Sequence, residues 1–509
     1  GDAWSIMGAY NLYQGEHLCH NDRMLNKILK EEWGFDGAVI SDWGGVHNTD
    51  QAILNGLDLE FGTGTNGLDS KYGNSYDAYY LAEPYLERLR DGRADMELLN
   101  DKVRRVLKLN FRTAMNRNKP YGSLCSPEHY AAARKIANEG IVVLKNENNI
   151  LPLAKEGKIL IVGENAIKKM TVGGGSSSLK AQYECTPIEG IKAAVGDKAE
   201  IIYQRGYLGD LLRTYNDVDT GIDLNDPRSE EQMIADAVEA AKDADVVIFI
   251  GGLNKARYQD SEGRDRVSMA LPYAQDKVVN ALTEVNDNVV VVIVSGNAVE
   301  MPWIDKVDGV VETWFSGTQT GHALADIIFG DVNPSGKLPF TFPVKLGDNG
   351  AHALNAYHKD SLKVEYKEGI FVGYRWAEKH DIKPLFAFGH GLSYTTFEYG
   401  EAKCRRAGDG FKVSVDVSNT GTREGKEVVQ LYIGDEESTL ERPVKELKGF
   451  KKISLKPGET KKVTFEVEPD MLKFYDPARG GWVLEAGTFT AYVGAASDDI
   501  RTTVSFVVK

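Results

Sequence analysis

Gly34-Phe-Asp-Gly-Ala-Val-Ile-Ser-Asp-Trp43 holds a short apolar run, Ala38-Val39-Ile40, that stops abruptly at Ser41-Asp42-Trp43. Three apolar residues flanked in this way read as a parallel strand covered on both faces. An acid and an aromatic at the carboxyl end of such a strand sit where open and barrel α/β folds put their chemistry. An indole offers a flat platform to a sugar ring, so Asp42 beside Trp43 suggests a carboxylate aimed at a glycoside. The plainer alternative is an Asp that caps the next helix. The strand end alone leaves both readings open.

Outward from this stretch, residues 1 to about 115 alternate strand and helix patterns. Strand-like segments lie near 4–9, 37–41 and 57–61, and helical ones near 22–32 and 75–109. The last carries Met96, Leu99, Val103, Val106 and Leu107 on one face, at helical spacing. Repeated βα units imply a parallel sheet or barrel. A (β/α)8 barrel takes about 250 residues, so 1–115 would supply only its last three or so units. A second α/β region spans about 126–345, with nearly continuous apolar runs at Lys158–Val162, Asp245–Ile250, Asn288–Val294 and Gly309–Trp314. Ser229-Glu-Glu-Gln232 forms a capping box ahead of the periodic Met233, Ile234, Ala237, Val238 and Ala241. Together these predict a doubly wound α/β sandwich. A connector rich in Gly, His and aromatics covers 346–395. From 396 to 509 the period becomes two, as in Phe411, Val413, Val415 and Val417, or Val463, Phe465 and Val467. Turns at Asn419-Thr-Gly421 and Lys456-Pro-Gly458 complete the pattern of a fibronectin type III-like β-sandwich.

The 509 residues are 42% hydrophobic and 27% charged, as in a soluble globular chain, and no apolar run nears the ~20 residues of a membrane span. A net charge of −15 without a basic patch argues against nucleic-acid and anionic-membrane partners. Cys19, Cys125, Cys185 and Cys404 form no CxxC pair, which disfavours a metal site or disulfide framework and leaves a single bridge open. The nine histidines show no HExxH and no cluster by spacing, so no metal or cofactor is expected. The chain opens at Gly1 without an initiator Met or leader, the expectation for a fragment or processed chain, and its compartment is not legible.

Retaining glycoside hydrolysis needs a nucleophilic carboxylate and a second carboxyl as acid/base. Asp42 is the first candidate. The second lies in Tyr258-Gln-Asp-Ser-Glu-Gly-Arg-Asp-Arg266, a loop after the strand Asp245–Ile250. Glu262 sits at its glycine-flanked tip. Composition equally allows a solvated cluster of Asp260, Glu262, Arg264, Asp265 and Arg266. Gly173-Gly-Gly-Ser-Ser-Ser178 lacks phosphate-loop spacing and reads as a flexible loop. Asp217, Asp219 and Asp223 lack EF-hand spacing, because Gly221 falls at the wrong position, and read as an acidic surface turn.

The chain resembles family 3 glycoside hydrolases of the β-glucosidase type over almost its whole length. Glu32-Trp-Gly-Phe-Asp-Gly-Ala-Val-Ile-Ser-Asp-Trp43 is similar to the family's nucleophile strand, with Asp42 in the nucleophile's position. Met7-Gly-Ala-Tyr-Asn11 resembles the preceding strand, facing the −1 subsite. Val142-Val-Leu-Lys-Asn146, Leu151-Pro-Leu153, Gly173–Ser178 and Thr186-Pro-Ile-Glu-Gly190 resemble the start of the α/β sandwich. Ser261-Glu-Gly-Arg-Asp-Arg266 resembles the acid/base loop, with Glu262 as proton donor and Asp260 as fallback. Gly330-Asp-Val-Asn-Pro-Ser-Gly-Lys-Leu-Pro339 and Phe388-Gly-His-Gly-Leu-Ser-Tyr394 resemble the segments that close the domain. The resemblance implies an exo-acting retaining β-glucosidase acting on β-linked glucosides or oligosaccharides, without a cofactor. Trp43 would stack on the sugar, while Met7 and Tyr10 line the −1 pocket. Glu262 would need a raised pKa, and at least one of Arg264 and Arg266 should point elsewhere. The family's earlier barrel segment, with a Lys-His pair and an Asp and Arg that hold the sugar, has no counterpart here. On that basis Asp42 and Glu262 alone would be weak catalysts. The competing expectations are a β-xylosidase or arabinofuranosidase, or a silent fragment or subunit whose remaining barrel comes from another chain. A homodimer also stays open.

Overall fold

The computed structural model describes residues 2–62, 76–171, 173–177, 179–209, 214–215, 218–219, 226–256, 258–263, 265–357 and 363–509. Arg264, Asp217, Asp223 and Ser178 lie outside them, as does the side chain of Asp219. The chain forms two compact units, 1–123 and 124–509.

In the first unit, strand Ser5–Gly8 pairs in parallel with Ala38–Ser41, Ser5 opposite Ala38 and Gly8 opposite Ser41. A single bridge from Ile40 to Leu59 adds a third parallel edge where a strand over 57–61 was expected. Helix Arg23–Glu32 lies between the paired strands in sequence and turns Leu25 and Leu29 into a core with Val39, Val46, Ala52 and Leu57. The strand is pinned by a buried acid. Asp58 accepts the Val39 amide at 2.8 Å and Lys30 Nζ at 2.9 Å.

The span read as one helix over 75–109 is two, Glu83–Arg90 and Met96–Arg112. Gly92, at φ 76°, breaks the run, and the Asp95 carboxylate caps the second helix by accepting the Glu97 amide. The apolar face of the second helix is not buried within this unit. Met96, Val103 and Leu107 are each about half exposed, and Leu99, Val103, Val106 and Leu107 line an open groove of about 350 Å³. The buried position of that helix is Lys102, whose ammonium reaches the Ala52 and Leu57 carbonyls.

In the second unit six strands form one sheet in the order Val142–Asn146, Gly309–Glu312, Val289–Val294, Val246–Gly252, Gly157–Val162, Ala199–Gln204. All pairs are parallel except the first. Alternate residues feed opposite cores, as expected for strands covered on both sides. Leu160, Val162, Val247, Phe249 and Val291 pack with helices Glu230–Lys242 and Gln275–Thr283. Ile159, Ile161, Ile248, Ile250 and Val292 pack with Pro187–Val195 and Thr320–Ile328. Each fully buried Val or Ile contributes roughly 1.5–3 kcal/mol.

The same unit carries a β-sandwich. One sheet joins Phe397–Tyr399, Lys403–Ala407 and Thr460–Val467 to Gly410–Asn419. The other runs Glu446–Leu455, Gly425–Asp435, Gly487–Gly494, Ile500–Val508. Its core is built from the alternating residues, Val413, Val415, Val417, Val429, Leu431, Val463 and Phe465 among them. All four cysteines are free. No described helix is long and apolar enough to cross a membrane.

Candidate functional site

Asp42 follows strand Ala38–Ser41 directly and does not cap the helix after it. Asn48 does that, its side chain accepting the Gln51 amide at 3.0 Å at the start of Thr49–Leu54. Asp42 Oδ1 instead accepts the Trp43 amide at 2.7 Å, and its carbonyl accepts the Gly45 amide, closing a tight turn. Around this turn the first unit gathers the other expected residues. Met7, opposite Ile40, is 60% exposed, Tyr10 is 52% exposed and Trp43 is 54% exposed. The Tyr10 hydroxyl donates to the Trp43 carbonyl at 2.7 Å, and the indole packs against Phe61 with centroids 5.2 Å apart. Large side chains this open at a strand-end rim form a surface on which a sugar ring could rest.

Sequence reasoning passed over what lies beneath that rim. Cys19 is fully buried, and its thiol donates to the Ala9 carbonyl at 3.4 Å. A Cβ at Gly45 would come within 2.7 Å of Cys19 Sγ, so Gly45 leaves the thiol its space. Burial pushes that thiol's pKa up, which makes it a packing group rather than a nucleophile. Three of the nine histidines, His17, His20 and His47, do gather in space. His17 and His47 stack with centroids 3.9 Å apart, and His20 lies 5.7 Å from His17. Stacked faces do not converge nitrogens on a common point, and the His47 amide donates to His20 Nε2.

Asp260 and Glu262 belong to the second unit, on the loop that follows Val246–Gly252. The expected fallback acid is committed elsewhere. Asp260 Oδ2 accepts the Gly296 amide at 2.6 Å, and Oδ1 faces Asn297 Nδ2 at 3.4 Å. Glu262 is exposed, and its carboxylate accepts the Ser176 hydroxyl and amide. Those donors hold its pKa below the ordinary carboxylate range. The expected upward shift is therefore absent from this unit, because nothing buries the side chain and both contacts favour the anion. The loop 173–177, expected to be flexible, is the partner that supplies them. Arg266 turns aside as expected of one arginine, donating to the Ala298 carbonyl at 2.8 Å.

One further carboxyl was not legible in the sequence. Glu312 ends its strand fully buried, accepting the Trp314 amide at 2.8 Å, with Ser295 Oγ 2.9 Å away. Burial pushes its pKa up to about 8. Ser295 Oγ also donates to the Asn297 carbonyl at 2.7 Å, so a protonated Glu312 donating to Ser295 completes the chain of bonds. All these groups lie at the carboxyl ends of neighbouring parallel strands, where α/β sheets hold ligands. Among the described residues no three His, Cys, Asp or Glu side chains are arranged to hold a metal ion.

Residues 141–394 match the Glycosyl hydrolase family 3 C-terminal domain, and residues 427–497 match a Fibronectin type III-like domain. Over 520 residues the chain is 50% identical to the β-glucosidase BoGH3A of Bacteroides ovatus, spanning 99% of this chain and 68% of that one. It is 41% identical over 501 residues to the thermostable β-glucosidase B of Acetivibrio thermocellus, spanning 98% of this chain and 62% of that one. Among solved structures, a β-glucosidase from Kluyveromyces marxianus superposes with a TM-score of 0.88 at 31% identity, covering 99% of this chain and 76% of that chain.

Proposed function

Since this chain belongs to glycoside hydrolase family 3 and is of its β-glucosidase type, we propose that it contributes both carboxylates of an exo-acting retaining mechanism. Asp42 attacks the anomeric carbon and forms a covalent glycosyl-enzyme. Glu262 protonates the departing oxygen, then takes a proton from the water that releases the sugar. This double displacement calls for carboxyls about 5–5.5 Å apart. Trp43 stacks on the ring, and Met7 and Tyr10 border the same subsite. Residues 1–115 are read as part of a (β/α)8 barrel that presents the nucleophile, and 126–345 as the α/β sandwich that presents the acid/base. The substrates are β-linked glucosides.

The observation that carries this reading is the Asp42 turn. Its carboxylate is not used to cap a helix, and it stands at a strand end beside an exposed indole. In the full-length protein, Asp42→Ala is expected to lower kcat on an aryl β-glucoside to a trace, about 10⁴-fold or more below the parent. Substantial residual turnover would sink the nucleophile assignment.

A further inference from the structure

Segment 173–177 and segment 260–262 are far apart in sequence and touch along their backbones. Their contacts run both ways. The Glu262 amide donates to the Gly174 carbonyl at 2.6 Å, and the Ser176 amide donates back to the Glu262 carboxylate. The approach is so close that side chains are excluded. A Cβ at Gly174 would fall 2.8 Å from Ser261 Cα, and one at Gly175 would fall 2.3 Å from Glu262 Oε2 and 2.5 Å from Glu262 Cβ. Gly175 is moreover at φ 144°, a backbone setting that L side chains rarely adopt. Two residues before Glu262, the Asp260 carboxylate is tied to the turn after Val289–Val294 through the Gly296 amide.

We propose that the loop Gly173–Ser177 is a positioning clasp for the acid/base, with Gly174, Gly175 and Ser176 fixing the Glu262 side chain and Asp260 fixing the root of its loop. The proposal rests on Glu262 being the acid/base. A carboxyl at an exposed loop tip would otherwise sweep through many rotamers, and catalysis is sensitive to displacements of an ångström. The clasp supplies the order that burial supplies elsewhere. It also favours one protonation state, since both Ser176 donors point at the anion. The Glu262 amide bond to the Gly174 carbonyl does not depend on protonation, so the clasp holds the residue in place in the acid step as well as in the base step.

The test uses the full-length protein and two aryl or alkyl substrates. Dinitrophenyl β-glucoside leaves without acid assistance, whereas methyl β-glucoside needs it. Gly175→Ala is expected to lower kcat/KM on methyl β-glucoside by about tenfold or more, while kcat/KM on dinitrophenyl β-glucoside stays within about twofold. Equal losses on both substrates, or no loss on either, overturn the clasp. Ser176→Ala keeps the amide and removes the hydroxyl donor, so it guards against misfolding of the glycine variant. It is expected to move the alkaline limb of the kcat/KM profile up by about half to one pH unit, and an unmoved limb overturns the proposal. Glu262→Gly separates the two readings. If azide restores turnover there but Gly175→Ala shows no leaving-group split, only the clasp is lost. If azide restores nothing and the substrates are hit alike, the acid/base assignment is lost with it.

Discussion

At the scale of single residues, the acid that stands out energetically is Glu312 rather than either proposed catalyst. Its carboxyl is fully buried, and its pKa rises from an ordinary 4.5 to about 8. The native state therefore keeps a proton that the unfolded chain sheds above pH 4.5. Stability linked to this group is complete below that pH and is lost as pH climbs towards about 8. Glu312→Gln, neutral throughout and able to donate to Ser295, should abolish the loss. The Tm of the variant is expected to gain on that of the parent steadily between pH 4.5 and pH 8, and a gap independent of pH would refute the account. Sequence showed Asp42 because a strand end and an indole adjoin it. It did not show Glu312, since an apolar run followed by Glu-Thr-Trp gives no sign that the acid turns inward. Ser176 was illegible for a different reason: its partner Glu262 is 86 residues away, and no spacing rule reaches that far.

At the scale of elements, the strand that presents Asp42 is held by a charge. Asp58 has 1% side-chain exposure, and it pairs with Lys30, itself 11% exposed, while accepting the Val39 amide. Removing one partner of such a buried pair costs about 3–5 kcal/mol, because the other is left uncompensated. Asp58→Ala is expected to reduce hydrogen-exchange protection of Ala38–Ser41 by that amount, and protection within about 1 kcal/mol of the parent would show that the pair does not anchor the strand. Elements were legible where periodicity was long or the run wholly apolar, as in Val289–Val294. They were missed where they are short or at an edge. Thr49–Leu54 spans under two turns, and the edge strand Ala199–Gln204 is only half-buried, with Glu200 exposed. The break at Gly92 was hidden by good helix formers on either side.

At the scale of the whole molecule, the α/β sheet and the β-sandwich fall within one unit because polar ties cross between them. Lys426 and Lys452 both reach Glu139 on helix Pro127–Gly140, Gln430 Nε2 donates to the Gly389 carbonyl at 3.2 Å, and the Ser497 amide donates to the Phe388 carbonyl at 2.9 Å. The change of period near residue 396 marks the sandwich in the sequence but could not show these ties, which join residues from 41 to 313 positions apart. The two layers are expected to unfold together. Urea midpoints read by hydrogen exchange in Val289–Val294 and in Gly425–Asp435 should coincide, and resolved midpoints would break the single-unit picture. The double-sided core of the α/β sheet has a last consequence. Where one face is wet, a strand that slips by one residue exposes its apolar side and is rejected. Val246–Gly252 and Val289–Val294 are apolar on both faces, so a slip there merely exchanges one greasy face for the other. Alignment must then be read from the strand ends. Exposed Asp245 accepts the Lys158 amide of the neighbouring strand at 2.7 Å, and Asn288 reaches the Asp245 carbonyl at 3.1 Å. These small polar residues, which bury almost nothing, tell the chain which of two equally oily pairings is the right one.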